Sequence, residues 1–178
     1  MDDEPLTVSL RYYGISPWEI EVVYNLFNGK FSIIQEETEQ NNESFVSALT
    51  IDIPLQFSEE FFKWFEFKAW EKVKSIIKEM KRRRGKGNAI IVEILFVGEP
   101  NIRFVIDINE NHNFNSAVEK IDFVVELLPY HLNDSNIPNE LSEVVYKYDI
   151  GSGRWRFNLV LAGQKKFIPT EKGWKVVT

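Results

Sequence analysis

The stretch Ser58–Gly87, SEEFFKWFEFKAWEKVKSIIKEMKRRRGKG, is the longest uninterrupted periodic segment of the chain and constrains its fold most. Ser58 can cap the first turn by accepting a free backbone N–H. Glu59 and Glu60 follow, where negative charge suits the helix dipole. Phe57 and Phe62 have the spacing of a hydrophobic staple. At about 100° per residue, Phe62, Phe65, Ala69, Val73, Ile76 and Met80 form one apolar seam, flanked by Phe61, Trp70 and Ile77. The spacing predicts one long central helix, ended by Gly85 or Gly87, on which the rest of the chain packs.

Two rings fall outside the seam. Trp64 and Phe67 project among Lys63, Lys68, Glu71 and Lys74. Either a neighbouring loop or strand covers them, or they form a binding surface of the kind in which Trp and Phe are enriched. The far end is basic, with Lys78, Lys81, Arg82, Arg83, Arg84 and Lys86. Cations there complement the negative end of the helix dipole. The same cluster has the chemistry of a phosphate or nucleic-acid contact. The distribution of charge weighs against the latter. Residues 1–57 carry ten acids and two bases, residues 58–88 five acids and ten bases, and residues 89–178 twelve acids and nine bases. A basic helix inside an acidic chain can be neutralised by its own chain, whereas nucleic-acid binders present net basic surfaces.

Before this helix, Leu6–Tyr13 alternates as a half-buried strand broken by Gly14. Residues 16–28 carry two competing signals. Ser16 and Glu19 make a capping box, Pro17 suits the first helical position, and Trp18, Val22 and Leu26 would share a face. Against this stand the β-branched residues of the segment and the Asn28-Gly29 pair, a hairpin turn signal. The helix is preferred, with Gly29 left-handed at its end, followed by a strand over Lys30–Gln35. Glu36–Ser44 is an acidic loop, and Phe45–Ile53 a strand closed by Pro54.

After the helix, Ala89–Val97 is apolar on both faces except Glu93, the pattern of a central strand. It pairs as a hairpin with Ile102–Ile108 around Gly98–Asn101. Glu93, the one acid in that strand, is either partnered or functional if buried, and pairing with a Lys or Arg is the preferred reading. Asn109–Asn115 reads as loop. Ser116 and Glu119 read as the capping box of a helix stopped by Pro129. Glu143–Ile150 with Trp155–Leu161, and Lys166–Ile168 with Trp174–Val177, read as two more hairpins. The expected fold is α+β: a mostly antiparallel sheet packed against one long central helix and one or two shorter ones, as a single domain over residues 1–178.

Chemistry is sparse. There is no cysteine, hence no disulfide, thiolate nucleophile or cysteine metal site. The acidic start MDDEPLTVSL lacks the apolar core of a signal peptide. No apolar run approaches the ~20 residues that span a bilayer. A soluble, cytoplasmic protein without membrane contact is expected. His112 and His131 both fall in polar segments and read as solvated. Asp107-Ile-Asn109-Glu-Asn111 opens like a calcium loop, but His112 stands where the turn needs Gly and Val118 where the ion needs Glu. No nucleotide-binding, nucleophile-elbow or zinc-protease motif occurs. These absences favour a non-catalytic protein-interaction or binding module with no cofactor and no metal, its partner another protein or a second copy of itself. The alternatives are a binder of an apolar small molecule in a helix-over-sheet cavity, and nucleic-acid or phosphate binding through the basic helix end.

Overall fold

The architecture is a strand–helix–strand unit used three times and finished by a meander. In a computed structural model, which describes residues 5–177, β1 (Thr7–Tyr13), α1 (Pro17–Phe27) and β2 (Ser32–Glu37) form the first unit. The second is β3 (Ala48–Ile53), α2 (Glu59–Phe65), α3 (Phe67–Arg84) and β4 (Ile91–Phe96). The third is β5 (Asn101–Ile106), α4 (Asn111–Glu119), α5 (Val124–Leu132) and β6 (Leu141–Asp149). β7 (Arg154–Ala162), β8 (Lys165–Thr170) and β9 (Gly173–Val177) complete a nine-stranded sheet ordered β2-β1-β3-β4-β5-β6-β7-β8-β9.

The sheet is mixed rather than mostly antiparallel. Within each unit the two strands pair in parallel. The units join antiparallel through β1–β3 and β4–β5, and β6 to β9 are antiparallel throughout. The three hairpins legible in the sequence are β4–β5, β6–β7 and β8–β9. The parallel pairs are joined through helices, and a crossover leaves no turn signal to read.

One row of side chains runs across the sheet beneath the helices: Leu10, Ile51, Ile94, Phe104 and Tyr146, each paired with the next and each fully buried. Val23, Trp70, Phe114, Ala117 and Ile121 from the helices join the same core cluster. β3 and β5 run in opposite directions, yet their crossovers step the same way along the sheet and lie over the same face. The third crossover therefore has the opposite hand to the first two, whereas crossovers in proteins are almost uniformly of one hand.

Among the described residues, no helix layer covers the other face. Ion pairs cross it strand to strand: Arg11–Asp52 at 3.1 Å, Glu93–Arg103 and Arg103–Glu143 at 3.4 Å, and Lys147–Asp107 at 3.0 Å. Glu93 thus has the arginine partner expected of it. Leu95, Val105 and Val145 on this face are buried, and their register partners include Arg103 and Lys147, whose aliphatic stems can cover apolar neighbours.

Residues 16–28 form the helix, with both halves of the Ser16–Glu19 capping box present. Its buried stripe is Ile20, Val23 and Phe27, not Trp18, Val22 and Leu26. Glu19 is buried too, so the helix is rotated to bring it inward. The helix ends on Asn28 in the ordinary right-handed conformation, and Gly29 is not left-handed.

The long central helix is not continuous. It breaks at Glu66, whose φ of 74° lies outside the helical region. The staple at its start is formed, with the Phe57 and Phe62 rings 5.7 Å apart. The break lets α2 aim its rings independently of α3: Phe61 and Phe65 stack at 5.5 Å, and Phe65 stacks on Phe27 of α1 at 5.4 Å. Burying a Phe contributes about 1.5–3 kcal/mol, enough to offset a residue held in an unfavourable conformation. Downstream, the expected Ser116–Glu119 capping box is also corrected. α4 begins earlier, with Glu110 accepting the backbone N–H groups of His112 and Asn113. Glu119 ends that helix, and Pro129 lies inside α5 rather than stopping it.

Candidate functional site

The basic end of α3 is built into the protein. Arg84 reaches Glu19 with two nitrogens, at 2.8 and 2.9 Å, and also bonds Ser47, Met80 O and Gly14 O. Lys81 is fully buried, and its ammonium donates to Asn109 O at 2.7 Å, Gly85 O at 3.0 Å and Gly87 O at 3.2 Å. Arg82 and Arg83 share Glu79, and Lys78 pairs with Glu119. Arg83 also lies 4.5 Å from the Trp18 ring. Lys86 is exposed and has no ion pair among the described residues. Five of the six cations that the sequence groups as one patch are therefore divided among four separate local partnerships.

Trp64 and Phe67 sit on opposite sides of the Glu66 break and do not share a helix face. Trp64 is 44% exposed and stands edge-on to Phe31 at 5.3 Å, with the Lys30 ammonium 5.0 Å from its ring. Phe67 is 53% exposed and stacks on Phe62 at 6.0 Å. With Leu6, Leu55 and Phe61, Trp64 lines an apolar groove of about 400 Å³. Phe67 is not part of it.

A larger groove, of about 710 Å³, lies where α4 and α5 meet β7. One wall is the stripe Lys120, Phe123, Val124, Leu127 and His131, spaced as a helical face. The other is Gly153–Phe157, with Trp155 and Phe157 supplying the rings. Lys120 is tied at one end by donating to Gly153 O at 2.9 Å. Phe123 is 63% and Leu127 47% exposed, so this wall is apolar and open at once.

His131 is half-buried, which corrects its reading as a solvated loop residue. Its Nδ1 lies 2.8 Å from the buried Tyr146 hydroxyl, and its ring packs edge-on to Phe157 at 5.0 Å. Burial pushes the His131 pKa down and the Tyr146 pKa up, so both groups are neutral at pH 7. Nε2 makes no hydrogen bond among the described residues, which leaves one polar atom for a ligand beside the aromatic walls. A neutral imidazole set in an apolar cleft of ligand size fits the usual anatomy of a small-molecule site.

This groove leaves no contiguous trace in the sequence. Its walls come from segments about 30 residues apart, and its helical stripe is split by the turn between α4 and α5. The usable signal was the spacing of Phe123, Leu127 and His131, which places apolar residues off the buried side of α5. Among the described residues no group of His, Asp or Glu is arranged to hold a metal ion, and Asp107 of the calcium-like fragment is paired with Lys147 instead. Among the described residues no helix is long and apolar enough to cross a membrane. No known protein family, curated protein or solved structure matches the chain.

Proposed function

We propose that the protein is a non-catalytic binding module whose ligand seat is the groove between α5 and β7, and that it accepts a small aromatic molecule bearing an anionic or hydrogen-bonding edge. The observation that carries this reading is the open apolar stripe Phe123–Leu127 facing Trp155 and Phe157, with Lys120, His131, Arg154 and Arg156 as the polar groups of the same cleft. Apolar side chains left exposed in a concave surface mark binding sites more often than chance exposure does. The groove's volume falls within the ~300–1,000 Å³ usual for ligand pockets.

An aromatic sulfonate dye, 8-anilinonaphthalene-1-sulfonate, has the required shape and charge. Titration should give saturable binding with energy transfer from tryptophan. Leu127→Glu, at an exposed position, should abolish it without unfolding the protein, and Trp64→Ala should leave it intact. Absence of saturable binding, or equal binding by Leu127→Glu, overturns the proposal.

A second reading, association with another protein through Trp64, is supported by the apolar groove that Trp64 forms with Leu6, Leu55 and Phe61. Its test is loss of partner capture in Trp64→Ala with binding of the dye unchanged.

A further inference from the structure

The two edges of the sheet carry opposite charge. At one edge, β2 and the loop after it (residues 31–44) hold Glu36, Glu37, Glu39 and Glu43 and no base. At the other, the β8–β9 hairpin holds Lys165, Lys166, Lys172 and Lys175 against the single Glu171. None of these nine side chains takes part in an ion pair among the described residues, although ion pairs cross the rest of the sheet. Both edges are exposed. Every β2 side chain except Ile33 is open to solvent, as are Lys175, Val176 and Val177 of β9.

We infer that the sheet associates head to tail, β9 of one copy adding to β2 of the next. Three observations converge. The first is direction. Five antiparallel pairings separate β2 from β9, so the two edge strands run in opposite senses and copies placed side by side pair them antiparallel, the more stable arrangement. The second is charge. Two-fold pairing of β2 with β2 would bring two acidic edges together, and β9 with β9 two lysine-bearing edges; like charges brought across a strand pair destabilise it. Only the unlike edges attract. The third is the ladder itself. Ser32 N donates to Leu6 O and Thr38 N to Tyr12 O, so the even-numbered β2 residues bond inward. The N–H groups of Ile33, Gln35 and Glu37 then face outward, free to pair.

Such a contact is heterologous and does not close on itself, so it adds copies one after another. With about 20° of twist between neighbouring strands, each nine-stranded copy turns the ribbon by roughly half a revolution. The contact is independent of the α5–β7 groove.

Sedimentation velocity at about 20 mM salt should show the mean mass rising with concentration beyond a dimer. In about 0.5 M salt, where exposed charges are screened within a few ångströms, it should fall toward the monomer. Gln35→Pro removes an outward N–H without breaking a bond to β1, and the double variant Lys172→Glu, Lys175→Glu makes both edges acidic. Each should be monomeric alone. Mixed, they retain one compatible pair of edges and should form a one-to-one complex that grows no further. Circular dichroism of each variant alone checks that it is folded. A wild-type chain that is monomeric at low salt, that stops at a dimer, or that associates equally in either variant overturns the inference, as does a folded mixture that forms no complex.

Discussion

Arg84 and Glu19, 65 residues apart, form a two-pronged ion pair with N–O distances of 2.8 and 2.9 Å, its carboxylate buried and its guanidinium partly so. The pair ties the end of α3 to the start of α1, and it explains why α1 turns a carboxylate inward. The hydrogen bonds from Arg84 hold the Glu19 pKa at about 2, against burial, with Ser16 adding further bonds. Removing one member of a buried pair leaves the other uncompensated. Arg84→Ala should therefore lower stability by about 3–5 kcal/mol in urea denaturation. The Arg84→Ala, Glu19→Gln double variant should recover part of that loss.

The same pair sets an acid limit. Glu19 binds its proton more weakly folded than unfolded. Its contribution is complete above the ordinary carboxylate value of 4.5 and is lost as pH falls from there toward 2. In Glu19→Gln, the fall in stability across that window should be shallower than in the wild type, as followed by thermal melts at successive pH.

Lys81 acts as a cap for the end of α3. Its ammonium satisfies three carbonyls, two of them in the Gly85–Gly87 segment, and burial lowers its pKa. Lys81→Met preserves the stem and removes the donors. Leaving buried acceptors without partners costs about 1–3 kcal/mol. Amide hydrogen exchange should also quicken in the last turn of α3 and through residues 85–88.

His131 should be visible as a titration. Its pKa lies below the ordinary 6.5 because burial disfavours the charged ring. Between 6.5 and that lower value the unfolded chain binds the proton more readily, so stability is lost as pH falls through this window. Its imidazole resonance should titrate below 6.5, and His131→Gln should remove the stability slope just under that pH.

Glu66 offers a test of the helix break. A φ of 74° with ψ of 129° is a region that glycine enters freely and other residues reach at a cost of about 1–3 kcal/mol. Glu66→Gly should raise the melting temperature despite glycine's greater freedom in the unfolded chain, whereas Glu66→Ala keeps the strain and should not. If both behave alike, the strain at Glu66 is negligible.

What the sequence determined by itself was local. The Ser16–Glu19 capping box, the Ser58 cap, the Phe57–Phe62 staple and the three hairpins each depend on residues a few positions apart, where hydrogen bonding and side-chain periodicity are encoded directly. The tertiary structure alone decided the rest. The periodic seam of Ser58–Gly87 was real, but its continuity is interrupted at Glu66, where α2 packs its rings on Phe27 and Phe31. The basic run at its end became separate internal partnerships because Glu19, Asn109 and Glu119 arrive from three other segments. His131 became half of a hydrogen-bonded pair because the third crossover folds α5 back over Tyr146. Such contacts depend on which strands lie side by side, and that choice is a property of the whole core, which no single stretch of the chain encodes.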